Sequence, residues 1–174
     1  MAGILALDLA SRVGYAIEIP GVPPLLGTKH FPRFNTARTG PQGLEFMRWL
    51  RGIMIAWGPE RVIYERPLPP KFQSSTAVAS IAMGFAYVTE IVSAELHIPV
   101  ASVPVSTVRK FFIGDGSSNK RAKGRVIQEC ERRGWEPPDD NAADAAAVLA
   151  WAVNAYYPNS EPRRTAIGNP ARLL

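Results

Sequence analysis

Cysteine is nearly absent: Cys130 is the single one in 174 residues, so no internal disulfide is available and a reducing, cytoplasmic setting is expected. Histidine is almost as scarce. His30 and His97 lie far from any acidic motif and show no ligand spacing, so neither is assigned a role. No N-terminal basic stretch leads into an apolar run and a small-residue cleavage site, which argues against a secretory leader. Long apolar runs are missing too. The segment Ala77 to Val92 carries Glu90, and Ala142 to Tyr157 carries Asp144 and Asn154, so both read as buried helices and no membrane partner is expected. There is no internal repeat, and the alanine-rich segment near the C-terminus is the only biased stretch.

With 47% apolar and 20% charged residues, the chain has the composition of a globular protein with room for one sizeable core. The reading is one domain over residues 1–157 and a loose tail over 158–174. Twenty Lys and Arg against fifteen Asp and Glu give a net charge of +5, which favours a polyanionic partner. The distribution matters more than the sum. Arg109, Lys110, Lys120, Arg121, Lys123, Arg125, Arg132 and Arg133 fall within one stretch, a local basic surface suited to nucleic acid.

Ile4 to Asp8 is a short apolar run ending in an acid, and Val13 to Ile19 resumes in the same manner after a turn, so the two read as a hairpin. Gly21, Pro23 and Pro24 punctuate the next turn, and Leu25 to Phe31 adds a third strand. Leu44, Met47, Leu50, Ile53, Met54 and Trp57 follow the helical period from Gly43 until Gly58-Pro59 stops it. Arg61 to Glu65 is another apolar strand ending in an acid. A long helix over Gln73 to His97, a strand over Pro99 to Val103, and a helix capped by Ser106 or Thr107 follow. After a Gly/Ser/Asn loop, a basic helix is predicted from Lys120 to Arg133. Asp139 and Asp140 then cap an alanine-rich helix that runs to Tyr156.

Asp8 and Glu65 stand at the C-terminal ends of apolar strands. If those strands are parallel neighbours, the two carboxylates meet where open α/β sheets build their sites. On the last helix, Asp140, Asn141 and Asp144 lie on roughly one face. Acids at strand ends and helix starts are common, and Asp139 and Asp140 are adequately explained as caps. Asp144 is different, because it sits inside an alanine-rich face where an unpaired carboxylate is costly. Carboxylates converging in one cleft repel each other unless protonated or neutralised by cations, and oxygen-only ligands select Mg²⁺ or Mn²⁺. Two such ions about 4 Å apart can drive in-line phosphodiester hydrolysis.

With these segments in view, the chain resembles the RuvC-type Holliday junction resolvases of the RNase H-like nuclease superfamily over Gly3 to Tyr156. The resemblance rests on Ile4-Leu-Ala-Leu-Asp8 followed by Gly14-Tyr15, on Val62-Ile-Tyr-Glu65, on the loop and basic helix from Gly114 to Val126, and on Asn141-Ala-Ala-Asp144-Ala. It implies an α/β fold with a mixed five-stranded sheet, an antiparallel three-strand meander plus parallel strands, flanked by helices. It also implies a homodimer that resolves four-way DNA junctions by paired symmetric nicks, in a bacterial or phage-infected cell. Asp8, Glu65 and Asp144 match the family's acids. The remaining ligand position falls on Asn141, a departure, so either three acids suffice or Asp140 supplies the fourth carboxylate. Lys123 matches the lysine that the family places near the scissile phosphate, with Lys120 the runner-up and Arg121 and Arg125 beside them as DNA contacts. Where the family carries a base-stacking aromatic, this chain has Leu68. Lys71 and Phe72, farther along the same loop, are the alternative DNA contacts there. No nucleotide cofactor is expected.

Other functions stay open from sequence. A related nuclease would act on other branched DNA or on RNA, since fold and metal chemistry do not settle the substrate. A non-catalytic junction binder would keep only the basic surface, yet it has no reason to retain three acids. A nucleotide-dependent phosphotransferase of the actin-like fold would need a second lobe.

Overall fold

The computed structural model describes residues 3–32, 39–68, 76–117 and 120–160. Within them, strands β1 (Ile4–Asp8), β2 (Arg12–Ile17), β3 (Leu25–His30), β4 (Arg61–Glu65) and β5 (Val100–Val103) form one sheet in the order β3-β2-β1-β4-β5. β1, β2 and β3 make the antiparallel meander, and β4 and β5 join β1 in parallel. This is the mixed sheet that the sequence implied.

Side chains alternate between the two faces of a strand. Leu5, Leu7, Val13, Ile17, Val62 and Tyr64 therefore share one face, in a core with Phe46, Leu50 and Met54 of helix α1 (Gly40–Trp57) and Phe85 and Val92 of helix α2 (Thr76–Glu95). Ile4, Ala6, Ala16 and Ile63 turn to the other face. There they meet helices α3 (Val105–Ile113), α4 (Lys120–Arg132) and α5 (Asp140–Tyr156). The result is three layers with the sheet in the middle.

Two helices start earlier than the sequence suggests. α1 begins at Gly40, because Pro41 fits a first turn, where its missing N–H costs no hydrogen bond. α3 begins at Val105 behind an extended Pro104, so Ser106 lies inside the helix rather than capping it. The stop of α1 is as expected: Gly58 takes the left-handed conformation at φ 55° and its N–H closes on the Met54 carbonyl. α2 is long and apolar enough to cross a membrane by length and composition, contrary to the reading from its Glu90. In this fold it buries Phe85 and Val92 in the core shared with the sheet and α1, and Ala79 and Ala82 are buried as well.

α5 is the element that positions the acids. Ala142, Ala143, Ala145, Ala146, Ala147, Ala150 and Ala152 are all buried, and side chains this small let the helix lie close across the central strands. The approach is closest at Gly14 of β2, where a Cβ would stand 1.9 Å from the Asn141 carbonyl oxygen. Asp139 caps the helix by accepting from the Ala142 N–H, as its position predicts, and also accepts from the Thr28 hydroxyl of β3 at 2.6 Å. The cap thus pins the start of α5 to the sheet.

Candidate functional site

The same alternation decides where the acids point. Asp8 follows Ala6, and Glu65 follows Ile63, so both side chains belong to the α5 face. The parallel register pairs Leu7 with Tyr64, which brings Asp8 and Glu65 side by side at the strand ends. Asp144, one turn into α5, descends onto them. Together with Lys123, Asn141, Arg109 and Leu68, the three acids line one cleft of about 220 Å³.

Three carboxylates so placed disfavour their own ionisation. Burial, followed by the negative charges of Glu65 and Asp144, pushes Asp8 well above the usual carboxylate range, against the opposing pull of Lys123 and Arg109. Burial and then Asp144 raise Glu65 from 4.5 to about 7. Asp144 is raised by burial too, although Arg109 and Lys123 hold it down. Such a donor set, all hard oxygen and short of positive charge, fits a divalent cation. As the side chains stand, however, no group of three or more His, Cys, Asp or Glu among the described residues is arranged to hold a metal ion. Asp144 is instead engaged by a cation of the protein itself.

That cation is Arg109, which sequence reading left in the basic surface. It is 5% exposed, and one of its terminal nitrogens lies 3.4 and 3.5 Å from the two Asp144 oxygens. A signal was available. Val105, Val108, Arg109 and Phe112 form one stripe at helical spacing, so Arg109 occupies a core-facing position of α3.

The other expected residues divide. Lys123 reaches the cleft and donates to Asp140 at 2.8 Å. Burial lowers its pKa, but that hydrogen bond and the charges of Asp140, Asp144 and Asp8 outweigh burial and leave it raised, so it is firmly cationic. Asn141, not Asp140, lines the cleft, and Asp140 would have to release Lys123 to join it. Arg121 is exposed on α4, while Arg125 is tied to Asp115 and the Ile113 carbonyl. Leu68, at 39% exposure, lines the cleft beside Pro67. Lys71, Phe72 and the side chain of Lys120 lie outside the described residues.

The raised acids make stability depend on pH in a definite direction. A carboxyl with a folded pKa above its unfolded value keeps its proton better in the folded state, so that contribution is present below 4.5 and is lost as pH rises through about 7. In EDTA, the Tm is expected to fall by several degrees across this interval, and Glu65→Gln is expected to flatten the slope. Calorimetry at stepped pH checks this. A Tm that is constant or rising from pH 5 to 7 in EDTA contradicts it. Asp139, Glu129 and Asp115 have lowered pKa values, so their effects fall at more acidic pH and do not blur the interval.

No protein-family model and no curated protein matches the sequence. Solved structures do. Thermus thermophilus RuvC in complex with a Holliday junction substrate is similar with a TM-score of 0.66 and 16% identity, over 89% of this chain and 93% of that one. A second Thermus thermophilus RuvC structure gives 0.67 and 14%, over 89% and 96%. The yeast mitochondrial Holliday junction resolvase gives 0.57 and 9%, over 83% and 75%. At these identities the likeness is one of backbone, and it places this chain in the RuvC-type, RNase H-like fold.

Proposed function

We propose that the chain is a metal-dependent endodeoxyribonuclease that resolves four-way DNA junctions by paired symmetric nicks. The observation that carries the reading is the convergence of Asp8, Glu65 and Asp144 from β1, β4 and α5 in one cleft, with Lys123 at its rim. The fold shared with one protein solved in complex with a Holliday junction substrate and with another described as a Holliday junction resolvase supports the choice of substrate.

In this reading Asp8, Glu65 and Asp144 hold Mg²⁺ or Mn²⁺, two ions per cleft. Asn141 adds a neutral oxygen, or Asp140 a fourth carboxylate once it lets go of Lys123. Bound divalent ions supply a nucleophilic water at neutral pH and neutralise charge on the phosphate. The protein's part is to fix the geometry. The sheet and the Asp139 cap hold the three carboxylates on rigid elements, and Lys123 offers a point charge to a phosphate oxygen. Lys120, Arg121 and Arg125 of α4, with Lys71, extend the contact along the backbone, Phe72 stacks on a junction base, and branch shape does the recognising. The partner is a second copy of the chain, so that two clefts face two strands. Met83, Tyr87 and Ile91, exposed at helical spacing along α2, supply apolar surface for such self-association.

The experiment is incubation of labelled four-way junction, flap and RNA–DNA hybrid with the protein in Mg²⁺, Mn²⁺ or EDTA. Paired nicks at symmetric positions of the junction, absent in EDTA, are expected. Cutting that survives EDTA overturns the metal reading. Equal cutting of all three substrates overturns junction selectivity, and single unpaired nicks overturn the dimer.

A further inference from the structure

Arg109 carries none of the roles assigned so far, yet it is the most buried cation in the cleft. One terminal nitrogen straddles both oxygens of Asp144 at 3.4 and 3.5 Å, and the other donates to the Ser117 carbonyl at 3.2 Å. Its Nε is buried and makes no hydrogen bond among the described residues. A well-made guanidinium–carboxylate fork has two parallel bonds near 2.8 Å, so this grip is long and the Asp144 oxygens are loosely held. On the far side, Asp115 and Ser117 are well tied. The Ser117 N–H donates to Asp115 at 2.9 Å, and Arg125 holds the same carboxylate. This segment is therefore anchored to α4 through Arg125 and to the acidic cleft through Arg109.

A guanidinium cannot ligate a cation. Arg109 and a divalent ion thus compete for the same two oxygens of Asp144, and two positive charges there repel each other. In keeping with this competition, no three acids among the described residues stand arranged around one ion position. We infer that Arg109 is a cationic latch: without metal it stands in for the ion at Asp144 and ties the loop at residues 114–117 to the cleft, and metal binding displaces it from Asp144. The inference rests on the metal reading above. Its consequence is that residues 114–117 loosen when the metal arrives, which couples loading of the site to the segment that Arg125 ties to the basic helix α4. Arg109 is a positioning residue in this scheme.

The test follows amide hydrogen exchange at 114–117 and thermal unfolding in EDTA and in Mg²⁺ or Mn²⁺, for the wild type, Arg109→Gln and Arg109→Lys. Wild-type loop amides are expected to exchange about tenfold faster with metal than in EDTA, the scale of losing one hydrogen bond to a charged group. In Arg109→Gln they exchange fast in both, and the Tm gain on adding metal exceeds that of the wild type because the competing charge has gone. Arg109→Lys keeps the charge but cannot bridge Asp144 and Ser117, so its loop is fast while its metal-induced Tm gain stays near that of the wild type. Loop exchange in EDTA that is the same in the wild type and Arg109→Gln overturns the latch. So does an equal metal-induced Tm gain in those two proteins, and that result leaves the metal reading intact. If neither protein responds to metal at all, the metal reading falls and displacement falls with it.

Discussion

Asp8→Asn or Glu65→Gln is expected to lower junction cleavage by about 1000-fold or more and, in the same molecule, to raise the Tm of the metal-free protein at pH 8. The loss follows from removing a ligand whose bound ion supplies several kcal/mol of transition-state stabilisation, at about 1.4 kcal/mol for each tenfold. The gain follows from the cleft itself. Burial and neighbouring acids raise the pKa of both residues, so at pH 8 the folded protein carries repulsion that the unfolded chain does not. A neutral amide of the same shape removes that charge and keeps the packing. Single-turnover cleavage with Mg²⁺ and calorimetry in EDTA read the two effects separately. A variant that cleaves within tenfold of wild type removes the residue from the site. A variant whose metal-free Tm falls means that the carboxylate is a structural anchor instead of a strained ligand. The opposite signs are informative, because a residue that merely supports the fold loses activity and stability together.

Much of this was legible in the sequence, for reasons that differ from residue to residue. Asp8 and Glu65 were readable because an apolar strand ending in an acid is a local pattern, and parity along a strand tells which face the acid takes once the core face is known. Asp144 was readable because a carboxylate inside an alanine face has to be explained. The cap at Asp139 was equally local. Arg109 was not recognised, because it was grouped with Lys110 and the lysines and arginines from Lys120 to Arg133, and composition over a stretch hides the one member that turns inward. Only the helical stripe of Val105, Val108 and Phe112 marks it. The bond between Lys123 and Asp140 joins two helices across an intervening turn, and no spacing rule reports a contact of that kind. It bears directly on the fourth ligand, since Asp140 is committed to a lysine while Asn141 faces the cleft.

Gly14→Ala is expected to be severely damaging, because there is no room for one methyl group between the sheet and the helix that delivers Asp144. The added carbon would stand 1.9 Å from the Asn141 carbonyl oxygen, 2.4 Å from its carbon and 3.0 Å from the Ala142 nitrogen. All three are backbone atoms of the first turn of α5, so no side chain can swing aside to relieve the clash. Relief has to come from lifting the helix start off β2. That movement also strains the hydrogen bonds through which Asp139 joins Thr28 and the Ala142 N–H. Overpacking of this kind costs about 3 kcal/mol or more, which lowers the Tm of a domain this size by about 10 °C. The functional cost is separate. Asp144 lies one turn beyond the clash, and a displacement of about 1 Å in a reacting geometry lowers rate by about 100-fold. Cleavage measured well below the variant's own Tm isolates this part. Expected there is a folded protein with a depressed single-turnover rate, to which the Lys123–Asp140 bond at the start of α5 adds a smaller loss of junction binding. A Tm within a degree or two of wild type would mean that α5 sits farther from the sheet than this structure has it. In that case the meeting of Asp144 with Asp8 and Glu65 would lose its structural basis.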